Sequence, residues 1–346
     1  MATPAAPTYH LFVGIDIAAT TATVAWRGPT RPDQPPFTID QTPAGLATLQ
    51  RRLAATDLPP AAILVVLEAT STYWLRLATT LHAAGYAVSV INPRQAHHFA
   101  QALLRRSKTD ALDAVLLAHL AAQLQPACWQ PPPAIYHELQ QRLAQRDSLL
   151  TLRQQLVNQR HALQQEVTVV AAVVARQTAL IATLDAALHD LEQEVGQVLD
   201  HDPAWAASVA RLQTVPGIGP ITALWLVVGT LNFTRCASAA AATSFVGLAP
   251  QPRQSGSSVR GRASIGHTGD GRLRTALYMA TLSAARYNPE LKACYERLRA
   301  AGKPVKVARC AVARKLLHLA FALVTKHQVF DPHYHARSRP AAGQAA

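Results

Sequence analysis

The sequence has few of the residues that build disulfide scaffolds, zinc sites or membrane spans. Only four of its 346 residues are cysteines, they are widely scattered, and no Cys-x-x-Cys pair occurs. This spacing excludes a small disulfide-rich fold and a zinc-finger type of site, and it predicts reduced thiols in the core. No clean run of 18 uncharged apolar residues occurs, and the first residues lack the pattern of a signal peptide. We therefore expect a cytoplasmic protein without a membrane span.

Acidic residues are scarce in the last quarter of the chain. Residues 251–346 carry 17 lysines and arginines but only four acids, whereas residues 1–250 carry 16 of each. The whole net charge of +13 therefore lies in the last quarter, and most of these cations are arginines. A local basic field favours binding to a polyanion, and arginine suits bidentate contact with phosphate. The alternative interpretation is a solvated basic surface without a partner.

The first part of the chain, up to about residue 125, predicts an α/β architecture. Hydrophobic residues make up 49% of the sequence, which is typical of a folded protein. Apolar strand patterns and amphipathic helix patterns follow one another as three strands, helix, strand, helix, strand and helix. The first three strands are expected to form a meander. This is the element order of the RNase H fold.

The second part, about residues 130–200, predicts two long helices. Three prolines at 131–133 mark a break, and leucines and valines then recur at near-heptad spacing in two runs. An antiparallel coiled coil that acts as a spacer or an assembly surface is the natural interpretation. An ordinary helical bundle is the alternative.

The third part begins at about residue 205 and contains a Pro-Gly-Ile-Gly turn between two helical segments. The turn resembles a helix-hairpin-helix motif, in which the backbone N–H groups of Gly217 and Gly219 would hold a DNA phosphate. The same turn can also simply join two packed helices. A Ser/Gly/Arg-rich segment follows, and its composition alone predicts a flexible loop. We also expect Arg272 and Arg274, in the next helix, to contact nucleic acid.

Four carboxylates form the candidate catalytic constellation. Asp16 interrupts an otherwise apolar strand, and Glu68 ends another. A buried charge is costly unless it is paired or bound to a cation. Asp110 and Asp113 are three residues apart at the start of a predicted helix, so they face the same point. Four carboxylates suit two divalent cations held about 3.5–4 Å apart.

An all-oxygen ligand set favours Mg²⁺ or Mn²⁺ over Zn²⁺. The cations Arg105, Arg106 and Lys108 precede the second pair of acids and would hold the phosphate backbone near the metal. Asp110 alone could instead cap the helix N-terminus. The segment around Asp16 also resembles the phosphate loop of sugar kinases. That loop needs glycine where this chain has Ala18 and Ala19, and no second phosphate loop follows, so the kinase interpretation is rejected.

The chain resembles the transposases of insertion-sequence family 110, the DEDD transposases related to the Piv DNA invertase. The resemblance covers about residues 10–332 and depends on the following motifs in order: GIDIA, LEATSTYW, VSVINP, FAQ, KTDALDA, VPGIGP, GLAP, SGSSVRG and LRTALYM. It implies an N-terminal RuvC-like domain of the RNase H fold (8–128), a helical coiled-coil insertion (129–202) and a mainly α C-terminal transposase domain (203–332). Residues 333–346 are expected to be a disordered tail.

The resemblance also implies the site residues and the partners. The acidic tetrad corresponds to Asp16, Glu68, Asp110 and Asp113, and the catalytic serine corresponds to Ser255; from composition alone Ser257 and Ser258 remain equal candidates. Arg253, Arg260 and Arg262 would neutralise charge on the attacked phosphate. The expected partners are the DNA of the element ends and target, a noncoding bridge RNA, and further copies of the chain, assembled as a tetramer of two dimers.

The implied reaction is site-specific strand exchange through a phosphoserine intermediate, which conserves bond energy and needs no ATP. Two alternatives remain open. A RuvC-like resolvase would use the same acids with water as nucleophile, and Ser255 would then be structural. A nucleic-acid-binding module without catalysis would keep the basic C-terminal region and make no use of the acids, which the intact tetrad argues against.

Overall fold

The structure, a computed structural model, describes residues 8–28, 34–104, 107, 109–255, 259–266 and 268–333. The chain divides into two compact units, Met1–Pro131 and Pro132–Ala346. Arg105, Arg106 and Lys108, together with all but the first residue of the predicted tail, lie outside the described residues. The side chains of 252–255 and 259–263 also lie outside them, although the backbone there is described.

A five-stranded mixed sheet forms the centre of the first unit. Its strands are β1 (Leu11–Ile17), β2 (Thr21–Arg27), β3 (Phe37–Asp40), β4 (Ile63–Glu68) and β5 (Ala87–Ile91). The spatial order is β3-β2-β1-β4-β5, in which β1, β2 and β3 pair antiparallel while β1, β4 and β5 pair parallel. The predicted meander is confirmed. The mixed α/β sheet is compatible with an RNase H-like fold.

Helices cover both faces of this sheet. They are α1 (Pro43–Ala54), α2 (Trp74–Ala83), α3 (Pro93–Ala102) and α4 (Asp110–Leu124). Because side chains alternate along a strand, Leu11, Val13 and Ile15 of β1 pack with the leucines of α1 and α2. Phe12 points to the opposite face and packs with Leu117 of α4. Gly14 and Asp16 share the face of Phe12, so Asp16 points to the side of the sheet that α4 covers.

Two long helices open the second unit. Both α5 (Ala134–Leu163) and α6 (Ala171–Asp200) contain 30 residues, which confirms the prediction of two long helices. They pack antiparallel and are joined by ion pairs from Arg142 to Glu194 and from Arg146 to Glu192. Among the described helices, α6 alone is long and apolar enough to span a membrane by length and composition. Such a criterion is weak, and Asp185 within α6 pairs with an arginine of α5.

The rest of the second unit is mainly helical, as predicted. Its elements are α7 (Pro203–Gln213), α8 (Pro220–Thr230), α9 (Ala239–Val246), β6 (Pro250–Ser255), β7 (Val259–Ile265), α10 (Gly271–Tyr287), α11 (Pro289–Ala300) and α12 (Val305–Thr325). The Ser/Gly/Arg-rich segment before α10 was predicted to be a loop, but its backbone at 250–255 and 259–265 forms two antiparallel strands, and residues 256–258 lie outside the described residues. The pairing of the two strands is a non-local contact that Ser/Gly/Arg composition does not encode.

Candidate active site

Asp16 and Glu68 lie side by side at the ends of two neighbouring parallel strands. The parallel register of β1 and β4 runs from Leu11 opposite Ile63 to Ile15 opposite Leu67. Asp16 and Glu68 directly follow that last pair, so both side chains point to the same face of the sheet. Both residues are half-buried. The two strand acids therefore lie next to each other at the carboxyl ends of β1 and β4.

The N-terminus of α4 brings the other two acids to the same edge. Gly14 allows this approach, because a Cβ atom there would lie 2.2 Å from the Ala114 carbonyl oxygen and 2.2 Å from the Ala118 nitrogen. Thr109, not Asp110, is the N-cap of α4, and its hydroxyl accepts a hydrogen bond from the Leu112 N–H at 3.3 Å. Asp110 stands in the first turn of α4, where the helix dipole also favours its charge, so the alternative role of Asp110 at the helix N-terminus stays open.

The charges of the four acids act on one another. Burial, followed by the negative charges of Asp113, Asp110 and Glu68, raises the pKa of Asp16 from 3.8 to about 6. A hydrogen bond from the backbone of Ile17 opposes this effect. A carboxyl group that several other carboxylates repel is poised to take up a proton or a cation. The cluster of Asp16, Glu68, Asp110 and Asp113 is named the acid cluster below.

Thr70 orients one member of the acid cluster, a role that its sequence context does not predict. The Thr70 hydroxyl donates a hydrogen bond of 2.8 Å to Glu68 Oε1. The loop that carries Thr70 is fixed by the Trp74 indole, whose Nε1–H donates to the Ser71 carbonyl at 3.1 Å. Ser71 has a φ of 53°, in the left-handed region. A threonine two residues after a strand acid is too common a pattern to have been singled out from sequence.

A groove opens beside the acid cluster. It has a volume of about 530 Å³ and is lined by Thr23, Pro36, Thr38, Thr109, Asp110 and Ala111. Thr23 pairs with Asp16 in the sheet and Thr38 pairs with Thr23, so the groove extends from the acids across β2 and β3. Threonine hydroxyls along its floor suit a polar ligand, because each can donate or accept a hydrogen bond.

The donor chemistry of the acid cluster fits a divalent cation of the Mg²⁺ or Mn²⁺ type. All of its ligand atoms are carboxylate oxygens, which these ions prefer. Binding would relieve the repulsion that raises the pKa of Asp16. Among the described residues no three acid, histidine or cysteine side chains are grouped closely enough to hold an ion as they stand. Occupation would therefore require these side chains to reorient.

Ser255 lies in the second unit, at the end of β6. Its backbone pairs with Val259 of β7, and the pairing continues back to Pro250 opposite Ile265 with an irregularity between Gln251 and Arg253. The backbone places Arg253 in β6 and both Arg260 and Arg262 in β7. Ser257 and Ser258, the two alternative nucleophiles, lie outside the described residues. Serine and arginines thus share one two-stranded hairpin, β6–β7.

Gly217 and Gly219 have different local roles. Gly217 has a φ of 106°, and a Cβ atom there would lie 2.5 Å from the Ala284 side chain of α10. Helix packing therefore accounts for the glycine at this position. A Cβ atom on Gly219, the N-cap of α8, would have no neighbour within 4 Å. Of the two predicted phosphate-binding glycines, only Gly219 stands at an open position.

Arg272 and Arg274 both make contacts within the second unit. Arg274 Nη1 donates to the carbonyl oxygens of Val246 and Thr268, both at 3.1 Å, at the two ends of the segment that carries β6 and β7. Arg272 lies over the Trp225 ring at 4.3 Å from its centroid, and its Nε is 3.4 Å from Asp147 Oδ2. Packing and carbonyl contacts thus account for both arginines, whatever else they bind.

Comparisons with known proteins identify the family of the chain. A family model for DEDD transposases of the IS110 type, described as "Transposase", matches residues 13–169, and a second, "Transposase IS116/IS110/IS902 family", matches residues 209–296. The "Pilin gene-inverting protein" of Moraxella bovis is 30% identical over 326 residues, which cover 94% of this chain and 98% of that protein. The "Insertion element IS900 uncharacterized 42 kDa protein" of Mycobacterium paratuberculosis is 28% identical over 54% of this chain and 46% of its own length. The chain therefore belongs to the IS110 family of transposases, which are DNA-processing enzymes.

Proposed function

We propose that this transposase carries out site-specific DNA strand exchange through a phosphoserine intermediate. The first unit would be a RuvC-like domain of the RNase H fold that holds the divalent ions. The second would supply Ser255 as the nucleophile. The observation that carries the proposal is the acid cluster, in which three other carboxylates raise the pKa of Asp16 together with burial. A relative named for gene inversion, similar along nearly its whole length, supports recombination as the reaction.

In the proposed reaction Ser255 Oγ attacks a DNA phosphodiester. One P–O bond to a deoxyribose oxygen breaks as the serine ester forms, and the released sugar carries a free hydroxyl. A hydroxyl of the other DNA then attacks the phosphoserine, reseals the backbone and returns the serine. One ester replaces another at each step, so no ATP is consumed. A serine hydroxyl must be activated to act in this way.

The acid cluster and the hairpin have separate tasks in this scheme. Asp16, Glu68, Asp110 and Asp113 would hold Mg²⁺ or Mn²⁺, which supplies Lewis-acid stabilisation of charge on the attacked phosphate when it is bound. Thr70 would keep the Glu68 carboxylate oriented toward the site. Arg253, Arg260 and Arg262 flank the serine along β6 and β7 and would neutralise the phosphate oxygens.

A covalent adduct tests the proposal directly. Wild-type protein is incubated with Mg²⁺ and end-labelled DNA that carries a nick beside the cleavage point, and the products are separated on a denaturing gel. We expect a protein–DNA band that disappears for Ser255→Ala and persists for Ser257→Ala and Ser258→Ala. Cleavage without any adduct would instead support a RuvC-like resolvase that uses water.

We also propose that a noncoding bridge RNA guides the reaction. The basic charge of residues 251–346 supports this, because structured RNA is bound largely through its shape and backbone. Protein purified from cells that carry the whole element should contain one discrete RNA and lose site-specific recombination after RNase treatment. Undiminished, site-specific recombination by the RNA-free protein would exclude a guide.

Assembly into a tetramer of two dimers is the third part of the proposal. The α5–α6 pair supports it, because an apolar groove of about 290 Å³ lies along it, lined by Leu152, Leu156, Leu180 and Leu184 together with polar neighbours. Leu152 and Leu180 are about half exposed within one chain. Light scattering on the purified protein with DNA should give four chains per complex, and Leu152→Asp with Leu180→Asp should reduce that number. A complex of one chain would exclude the assembly.

A further inference from the structure

The turn between α11 and α12 belongs to the most one-sided stretch of charge in the protein. Residues 297–330 contain eight lysines and arginines and no aspartate or glutamate. Arg299 lies in the last turn of α11, Lys303 lies in the connection between the helices, and Lys306 lies in the first turn of α12. All three residues are exposed. Arg299, Lys303 and Lys306 are named the turn patch below.

Local helix chemistry accounts for Arg299, which lies in the last turn of α11 and donates a hydrogen bond to the Lys303 carbonyl oxygen, but it does not account for Lys306. The first turn of α12 has no acidic residue, and its N-cap Pro304 offers no side-chain hydrogen bond. The N-terminus of a helix carries partial positive charge, so a lysine there is unfavourable for the helix itself. Lys306 therefore lies where the helix dipole is unfavourable for a cation. A bound anion would compensate the charge of Lys306 and the partial positive charge of the helix N-terminus.

The structure also places the turn patch near the base of the β6–β7 hairpin. Arg274 contacts the carbonyl oxygens of Val246, just before that hairpin, and Thr268, just after it. Burial raises the pKa of Cys310 in α12, and the charge of Arg274 acts on the same thiol and lowers it, so Cys310 lies close to Arg274. His318, further along α12, is 2.9 Å from the hydroxyl of Thr243 in α9.

These contacts fix the direction of α12. Because Cys310 lies near Arg274 while His318 lies at Thr243, the N-terminal end of α12 is the end at the hairpin base. Lys306 is one helical turn before Cys310, about 6 Å along the helix axis. The turn patch therefore lies on the side of the hairpin base, and Ser255 stands five residues further along β6 than Pro250, about 17 Å from it.

We propose that the turn patch is a docking surface for the phosphate backbone of the duplex DNA that carries the phosphodiester attacked by Ser255. The assignment rests on the proposed function for its choice of DNA over other polyanions. Flexible lysines suit this task, because contact with phosphates positions a duplex without reading its bases. Binding through the turn patch is thus sequence-independent and contributes to affinity and to placement of the cleaved strand.

The salt dependence of DNA binding tests this proposal. Full-length wild type, a triple variant Arg299→Gln, Lys303→Gln and Lys306→Gln, and a control triple variant Arg51→Gln, Arg176→Gln and Lys326→Gln are compared. Each triple removes the same charge from exposed positions. Lys326 is at the other end of α12, about 30 Å from Lys306. Binding of a labelled DNA duplex of about 30 base pairs is measured by anisotropy in EDTA between about 50 and 200 mM salt.

We expect the turn-patch variant to lose about one unit of the log–log salt slope for each of Lys303 and Lys306, on any DNA sequence, and less for Arg299 because its guanidinium donates to the Lys303 carbonyl oxygen. The control should keep the wild-type slope. A further variant, Lys303→Arg with Lys306→Arg, keeps the charge and should also keep the slope, which separates charge from damage to the fold. An unchanged slope in the turn-patch variant, or an equal loss in both triples, would overturn the proposal.

One further measurement and the use of EDTA separate this proposal from an RNA-binding site and from the proposed serine chemistry. The same titration with duplex RNA of matched sequence should show a smaller loss. If the turn-patch variant lost affinity for RNA alone, the surface would be an RNA site and the DNA assignment would be wrong. Because EDTA prevents metal-dependent chemistry, the binding result does not depend on whether Ser255 forms an adduct, so either proposal can fail without the other.

Discussion

Gly14 of β1 lies directly beneath the backbone of α4, where a Cβ atom would be 2.2 Å from the carbonyl oxygen of Ala114. Backbone cannot move aside as a flexible side chain can. Replacement of this glycine would therefore push α4 away from the sheet, and Asp110 and Asp113 would move with it. The positions of Asp110 and Asp113 therefore depend on glycine, which has no side chain, at position 14.

Gly14→Ala should accordingly reduce both stability and activity. Overpacking of a close contact costs about 1–3 kcal/mol, and the backbone contact puts this site at the upper end. DNA cleavage should fall further than the folded fraction does, because the α4 acids are displaced. Gly196→Ala in α6 is the control: a Cβ there meets nothing within 4 Å. Gly196→Ala should raise the free energy of unfolding by up to about 1 kcal/mol, because alanine has a higher helix propensity than glycine. Thermal melts and cleavage at saturating Mg²⁺ would show both effects, and an unaffected Gly14→Ala would contradict the packing argument.

Asp16 should make the metal-free protein less stable as the pH rises. Its folded pKa of about 6 exceeds its ordinary value of 3.8, so the folded state binds the proton more tightly. The stability from protonated Asp16 is complete below about pH 4 and is lost as the pH rises through about 6. The free energy of unfolding is therefore at most about 3 kcal/mol lower above pH 6 than below pH 4. Solvent screening of the half-exposed carboxylate reduces this difference to about 1–2 kcal/mol.

Asp16→Asn removes this titration and isolates its effect. In EDTA at pH 7.5 the variant should melt higher than wild type, and the difference should shrink toward pH 4. Mg²⁺ should raise the melting temperature of wild type at pH 7.5 and have little effect on the variant, which should not cleave DNA. Asp57→Asn, at an exposed turn outside the acid cluster, is the control. If the melting temperatures of wild type and Asp16→Asn in EDTA differed by the same amount at every pH, the prediction would be contradicted.

Thr70 should influence metal affinity through Glu68. Thr70→Val keeps the side-chain shape but removes the hydroxyl that donates to Glu68 Oε1 at 2.8 Å. Loss of a partner that orients a metal ligand costs about 10–100-fold in affinity. The Mg²⁺ concentration at half of the thermal stabilisation should rise by about that factor, whereas the melting temperature in EDTA should hardly change because Thr70 is exposed. Thr70→Ser keeps the hydroxyl and should behave as wild type; equal midpoints for the valine and serine variants would exclude a positioning role.

The sequence predicted the meander of the first three strands, the order of helices and strands in the first unit, and the four candidate acids, because all of these follow from local patterns. Each strand of the sheet is a short apolar run, and a charged residue in such a run, as at Asp16, stands out. The β6–β7 hairpin could not be predicted, since its strands are polar and their pairing is non-local. The contact of Gly14 with α4 and the hydrogen bond of Thr70 also depend on how elements pack. Ser255 was chosen by family resemblance, because composition does not distinguish it from Ser257 and Ser258.

Arg274 should matter for stability more than for DNA binding, although its sequence context predicted a nucleic-acid contact. Its Nη1 makes two hydrogen bonds that join the ends of the hairpin segment, to Val246 and to Thr268. Hydrogen bonds from a charged donor contribute about 1.5–3 kcal/mol each when they are half-buried. Arg274→Gln should therefore lower the melting temperature and, through the hairpin, the yield of the serine adduct.

The salt slope of DNA binding separates this role from a phosphate contact. A guanidinium that already donates hydrogen bonds to two carbonyl oxygens does not contact a DNA phosphate, so few counterions are released from it when DNA binds. Arg274→Gln should therefore leave the slope within error of wild type. A residue that contacts a phosphate would lower the slope by about one. Arg286→Gln, an exposed arginine on the same helix, removes the same charge and should leave the melting temperature unchanged. A shallower slope with an unchanged melting temperature for Arg274→Gln would restore the original prediction that this arginine binds nucleic acid.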